Sequence, residues 1–413
     1  METVSNLDPV LSRALSIDGQ VDYEELTRLL RELRRATATG DELLRCFALV
    51  HVSLVKNLVA FADKIVTTTP SDPQSIVAFQ IAVQCMVNLM SNSKTGKEMF
   101  ANEHAATITR WLRSVDDDKS INYVSAALLN IDHVHGLDDV LTIPEFACSL
   151  VEAGIRGAEF AILLLQNILE TKRFLQLYTI VKEEKKPFLL QLLADSIGRL
   201  PIVFLEEIHI IANEFKKICD NMMSSIPSVS PLVASQLALF LEILGSASCK
   251  NGYSECLQED AALVVSSSFL LRGIHECIAQ KSDRESQKEA FESVKGDNKE
   301  IKSRPFYGVK GDLIRLLGNL AFAHKPNQDR IRESGVIPII LDSCKLDGEN
   351  PFIKEWSILA IRNLCEKNSE NQNVIRLMDL KGMDPTVLHE FGFTMTEENG
   401  SQIGIAPIQK LSK

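Results

Sequence analysis

Aromatic residues make up only 6% of this 413-residue chain, against 45% hydrophobic residues overall, and no strong run of alternating β-branched residues occurs before its C-terminal tail. That scarcity argues against a sandwich or a doubly wound sheet and for a mostly helical protein with a long Leu/Ile/Val seam. Catalytic signatures are missing too. No Gly-x-Gly-x-x-Gly follows a strand, no Walker lysine loop is present, and His-Glu-x-x-His, Gly-x-Ser-x-Gly and His-Arg-Asp are all absent. Basic excess is lacking as well: the net charge of −11 repels phosphate backbones, so nucleic acid is not an expected partner.

The nine cysteines form no Cys-x-x-Cys pair and lie mostly in apolar helical runs. They read as small buried hydrophobes in a reducing compartment. The start, Met1-Glu-Thr-Val-Ser-Asn-Leu-Asp8, carries acids where a signal peptide carries bases. No stretch reads as about 18 uncharged apolar residues. The expectation is a soluble, cytoplasmic protein without membrane insertion.

What is present is a repeat. Leu313-Ile-Arg-Leu-Leu-Gly-Asn-Leu320 is echoed by Trp356-Ser-Ile-Leu-Ala-Ile-Arg-Asn-Leu364, and each is followed by an Asn-Gln pair. Asn319 and Asn363 are 363 − 319 = 44 positions apart, within the roughly 40–47 of armadillo and HEAT units. Each copy reads as an apolar helix, a polar Asn-Gln turn and a further helix. Weaker copies place asparagines at Asn88, Asn130 and Asn167, and Leu237 to Leu244 is a fainter copy without the Asn. One such unit cannot bury its apolar face alone, so the predicted fold is an all-α, armadillo/HEAT-like α-solenoid.

The organisation expected from this pattern is armadillo-like repeats over residues 1–280, a charged flexible insertion over 281–304, C-terminal repeats over 305–390, and a hairpin or tail over 391–413. Thr67-Thr-Thr-Pro-Ser-Asp-Pro73 breaks the helical pattern, and Asp22 with Glu25 three positions on reads as a helix start. Lys, Arg, Asp, Glu, Ser and Gln dominate the insertion, which fits a linker or a lone surface helix. Asn399-Gly400 between alternating residues signals a small β-hairpin capping the solenoid, or else a disordered tail.

Two clusters could be read as ligand sites. Asp132-His-Val-His135, followed by Asp138 and Asp139, is the only group resembling a metal site, but it falls at a helix end where His and Asp are ordinary surface residues. Gly308-Val-Lys-Gly311 resembles a phosphate turn, yet Asp312 would compete with phosphate for the free helix-start N–H groups. No metal, catalytic residue or cofactor is expected.

Protein partners are the remaining prospect. In armadillo solenoids an Asn on the groove-lining helix can bracket an extended peptide backbone. Asn88, Asn319 and Asn363 occupy that place, and tethering of the following loop is the alternative role. Importin-like grooves carry Trp four residues earlier, whereas this chain has Gln84, Arg315 and Leu359. Basic nuclear signals are therefore disfavoured. Arg315 and Arg362 suit an acidic or phosphorylated segment, unless they are held in internal salt bridges.

Asn350-Pro351 reads as a helix entry with Pro in first position, which would set Phe352 and Trp356 on one face, i to i+4. They are either solenoid core, packed against the helix from Asp312 to Phe322, or a partner anchor. A homo-oligomer is left open by the sequence.

The stretch from Gly308 to Ile375 resembles the ataxin-10 family. Asp312 to Leu320, Asn327-Gln328, and Asn350-Pro-Phe-Ile-Lys-Glu-Trp356 running on to Cys365 with Glu370-Asn-Gln372 carry that resemblance, over about a sixth of the chain, while residues 1–280 share only the general repeat pattern. It implies a non-enzymatic armadillo-like scaffold of the cytoplasm, linked to cytokinesis, centrosome or cilium behaviour and neuronal maintenance. From another class, an armadillo-type guanine-nucleotide exchange factor or GTPase regulator is the alternative.

Overall fold

A computed structural model of the chain describes residues 2–15, 22–38, 52–69, 72–91, 93–171, 173–197, 205–222, 229–286, 306–345, 347–377, 393–398 and 402–407. Internal packing divides the chain into two compact units, Met1–Leu189 and Leu190–Lys413.

The first unit holds α1 (Glu2–Leu15), α2 (Tyr23–Ala38), α3 (Val52–Thr68), α4 (Pro73–Met90), α5 (Lys94–Ser114), α6 (Asp118–Asp132), α7 (Pro144–Ile155), α8 (Glu159–Glu170) and α9 (Phe174–Ile180). Helix α10 (Lys186–Ile197) starts in it and ends in the second. Helices α2, α4, α6 and α8 pack in succession as a ladder, with α3, α5 and α7 behind them.

Their starts are fixed by short acceptor side chains. Asp22 accepts from the Glu24 and Glu25 N–H groups at 3.1 Å, Asp72 from Ser75 at 2.8 Å, Ser93 from Gly96 at 3.0 Å and Asp117 from Ser120 at 2.8 Å. Each satisfies N–H groups that have no partner inside the helix. Trp111, wholly buried, meets Phe79 edge-on at 5.6 Å and donates from Nε1 to Asp63 at 2.9 Å. The ring fills the core while its one donor is satisfied.

Helix α4 corrects one expectation. Its eighteen residues carry no charge and are apolar enough, by length and composition, to cross a membrane. In the fold it is a core helix: 56% of it is buried, with Phe79, Ile81, Cys85 and Leu89 inward.

The second unit holds α11 (Leu205–Met222), α12 (Pro231–Ala247), α13 (Tyr253–Glu259), α14 (Ala261–Ser286), α15 (Val309–Leu320), α16 (Lys325–Glu333), α17 (Ile337–Asp342), α18 (Ile353–Cys365) and α19 (Ser369–Leu377). Here α12, α15 and α18 form the ladder, and α11 and α14 pack behind its first two rungs. Each unit is thus a stretch of armadillo-like α-solenoid. Helix α14 runs to Ser286, six residues into the range assigned to the insertion, and residues 287–305 lie outside the described part.

Strands β1 (Phe393–Glu398) and β2 (Gln402–Pro407) pair antiparallel, from Phe393 opposite Pro407 to Glu398 opposite Gln402. The Asn399-Gly400 turn itself is outside the described residues.

The 44-residue repeat is written into the backbone as well as the side chains. Gly308, at the start of α15, has φ +78°, and Phe352, 44 positions on at the start of α18, has φ +59°. Ala323 (φ +50°) and Lys367 (φ +53°) form a second left-handed pair at the same offset. Between them α15 and α18 approach closely: a Cβ on Gly318 would lie 3.0 Å from Ala360 Cα. Glycine is required there because any side chain would push the two helices apart.

Candidate functional site

The ladder asparagines turn towards their neighbours. Asn363 donates from Nδ2 to the Gly318 carbonyl at 2.9 Å, and Asn319 donates to the Gly245 carbonyl at 3.3 Å and Ser248 Oγ at 2.9 Å. In the first unit Asn88 donates to the Arg34 carbonyl at 3.1 Å. Each amide therefore reaches the preceding ladder helix. The bond is made between repeats and not to the following loop. Asn319 and Asn363 are buried; Asn88 is half-buried.

The Asn-Gln pair also differs from the expected turn. Asn327 and Gln328 sit in the first turn of α16, and Asn371 and Gln372 in that of α19. From there Asn327 donates to the Leu320 carbonyl at 3.0 Å and Asn371 to Leu364 at 2.7 Å. Gln328 donates to Ala321 at 3.2 Å and Gln372 to Cys365 at 2.8 Å. Donors and acceptors are both offset by 44. The pair satisfies the last carbonyls of the preceding ladder helix, which have no partner within it. Asn327, Gln328 and Asn371 are essentially inaccessible to solvent.

Asp132, taken from sequence as one corner of a weak metal cluster, is committed elsewhere. Its side chain is fully buried and accepts a two-pronged bond from Arg173, Nη1 at 2.6 Å and Nη2 at 2.9 Å, plus Asn167 Nδ2 at 2.6 Å. Arg173 also reaches Asp138 at 2.9 Å. Among the described residues no group of three His, Cys, Asp or Glu is placed to hold a metal ion. The glycine turn is likewise occupied: Gly308 N–H donates to the Glu349 carbonyl at 2.8 Å and Gly311 N–H to Asn350 Oδ1 at 3.3 Å. Among the cysteines, Cys85, Cys219, Cys344 and Cys365 are buried and their thiols are pushed up to about 12, whereas Cys249 is exposed.

The remaining candidates lie on α15, on α18 and in the turn before α18, in the second unit. Trp356 is half-buried, and the Arg315 guanidinium of α15 lies over its ring, 5.1 Å from the centroid. Among the described residues no carboxylate is within ion-pair distance of Arg315; Nη2 has only Ser246 Oγ at 3.4 Å, and Nε is buried without a partner. Asp312, one turn before it, is pushed up to about 6 by burial, with Glu242 adding to the shift and Arg315 opposing it. Arg362 is exposed one turn beyond Leu359.

Phe352 departs from the expected helix entry. Helix α18 begins at Ile353, so Pro351 and Phe352 belong to the preceding turn, and Phe352 is left-handed and 70% exposed. The aromatic pair is therefore split. Trp356 packs against α15 through Arg315, while Phe352 stands in solvent. Nothing in the sequence signalled the buried Asp132–Arg173 fork, whose partners are 41 residues apart.

Comparison with known proteins follows the same division. The profile of the family described as Spinocerebellar ataxia type 10 protein domain matches residues 309–406. Ataxin-10 of Bos taurus is 29% identical over 345 residues, covering 79% of this chain and 71% of that protein. The Ataxin-10 homolog of Dictyostelium discoideum is 56% identical over 89 residues, 22% of this chain and 14% of that one. A solved structure concerning the phosphorylation switch in the interaction between cadherin and beta-catenin covers 94% of this chain and 66% of its own, at 11% identity and a TM-score of 0.40. The fold assignment stands on the helices themselves. The C-terminal repeat, with its buried amides, left-handed corners and tryptophan, coincides with the region of the family match, and the chain is a helical repeat protein similar to the ataxin-10 family.

Proposed function

We propose that this chain is a non-enzymatic cytoplasmic scaffold that binds partner proteins on the ladder face of its second unit. Phe352 and Trp356 serve as aromatic anchors, and Arg315 and Arg362 receive an acidic or phosphorylated segment. The observation that carries this reading is Phe352. The other copy of the repeat has Gly308 at the same place with the same left-handed backbone. A bulky residue there costs about 1–2 kcal/mol of strain, and an exposure of 70% recovers little of it by burial. Strain combined with an exposed aromatic is the pattern of a contact residue.

Arg315 supports the same reading, since its charge lies against an aromatic face and among the described residues no carboxylate is within ion-pair distance of it. Similarity to the ataxin-10 family points to cytokinesis, centrosome or cilium behaviour, and neuronal maintenance as the setting. Quantitative affinity purification from dividing cells, comparing the natural chain with Phe352→Gly and Arg315→Glu, tests it. Shared partners should be lost from both variants while their melting temperatures hold; an unchanged partner set would refute the assignment.

A further inference from the structure

The first unit has a groove of its own, about 460 Å³, on the ladder face where α2, α4, α6 and α8 come together. Arg34 and Arg35 line it from α2, Gln84 and Asn88 from α4, Tyr123 from α6 and Phe160 from α8. Among the described residues no acidic one lines it, although the chain as a whole carries a net charge of −11. Arg35 is exposed and Arg34 half-buried, and among the described residues neither has a carboxylate within ion-pair distance. Two arginines without a carboxylate partner among the described residues favour anions over cations at this groove.

The polar groups of α4 are half used. Arg34 Nη1 donates to Gln84 Oε1 at 2.8 Å, and Asn88 Nδ2 donates to the Arg34 carbonyl at 3.1 Å. That leaves the Gln84 amide N–H groups as donors and Asn88 Oδ1 as an acceptor, one helical turn apart. The four-residue step from Gln84 to Asn88 rises about 6 Å, close to the roughly 6.8 Å between alternate residues of an extended chain. A donor and an acceptor at that spacing match the outward C=O and N–H of an extended backbone. Tyr123 and Phe160, both half-buried, offer ring surface beside it.

The geometry points to this groove as the docking site for an extended, acidic segment of a partner protein, with Asp or Glu side chains meeting Arg34 and Arg35 and an apolar side chain lying against Tyr123 and Phe160. It rests on the reading of the chain as a protein-binding scaffold but uses other residues, so either can fail alone. Arg34 and Arg35 would supply charge-assisted bonds, and the amides of α4 would fix the direction of the backbone.

Selection from a random dodecamer phage library on the full chain, followed by fluorescence anisotropy of the leading peptide at two salt concentrations, tests it. The expected winners are enriched in Asp and Glu, lose at least tenfold in affinity against Arg35→Glu, weaken with salt, and bind Arg315→Glu as well as the natural chain. Arg35 is exposed, so its variant should melt with the natural protein, and Tyr123→Ala gives a second loss that does not depend on charge. Recovery of basic or neutral peptides, of no peptide, or of acidic peptides that still bind Arg35→Glu would overturn the proposal. So would a phosphoserine version of the leading peptide binding more than tenfold tighter, which would make the site a phosphate reader.

Discussion

The end of α6 and the ends of α15 and α18 face one problem and meet it with different chemistry. A ladder helix that stops inside a solenoid exposes carbonyls without partners and must also be held to the next repeat. In the first unit a buried ion pair supplies the link, with Arg173 forked onto Asp132 and Asn167 joining it. In the second unit neutral amides do so, through Asn327, Gln328, Asn371, Gln372 and the ladder asparagines. A buried charge pair is strong only while both partners are present, because either one alone is a stranded charge. Amides distribute the same task over many bonds, each worth about 1 kcal/mol. The two units should therefore fail differently.

The sharpest break is at Arg173. Arg173→Ala leaves Asp132 buried without its partner and should destabilise the first unit by about 3–5 kcal/mol, read as a lowered midpoint in urea. Replacing both members, Arg173→Met with Asp132→Leu, should recover most of that loss. If the single variant melts like the natural chain, the charged link is not structural and the comparison collapses.

On the other side, Asn371→Ala removes the donor to Leu364 and Gln328 carbonyls and should cost about 1–3 kcal/mol. Gln372→Ala, half-buried and with one such bond, should cost less. Equal losses at both positions would show that burial does not grade the amide network.

Asp312 contributes to the pH dependence of the second unit. Its folded value of about 6 lies above the ordinary 3.8, because of burial first. The native state then holds that proton more tightly than the unfolded chain, so the stabilisation is present below about pH 4 and is lost as the pH rises through 6. Asp312→Asn should raise stability by about 1–2 kcal/mol at pH 8, allowing for partial exposure, and change nothing at pH 4. Melting curves at the two pH values decide it, and a larger gain at the acidic end would reverse the assigned sign.

The smallest effect is expected at Phe352. Phe352→Gly relieves a left-handed backbone and should be neutral or stabilising by up to about 1 kcal/mol, the exact opposite of deleting a core aromatic. Trp356→Ala, half-buried, should lower the melting temperature, by less than the loss expected for a fully buried tryptophan. A marked fall for Phe352→Gly would return that ring to the core.

The offset of 44 was legible because the two copies share Asn319 with Asn363, Leu320 with Leu364 and the Asn-Gln pairs, and that pattern pointed to the solenoid class. The Asn-Gln pair was visible as a repeat but was assigned to a turn. Local composition cannot tell a polar loop from the first turn of a helix whose polar side chains point inwards. Phe352 and Trp356 looked equivalent at i and i+4; the left-handed corner that separates them follows from where α18 meets α15, which no short window contains.

By itself the sequence determined the helical repeat, its period and its negative charge, since these depend on residue type and spacing along the chain. Tertiary structure decided which polar groups are consumed inside the fold and which are left for a partner. Asp132 finds Arg173 across 41 residues, and Asn319 finds Gly245 across 74. Arg315 lies over Trp356. Hydrogen bonds and charges act over a few ångströms in space, so their outcome is set only when distant segments are brought together.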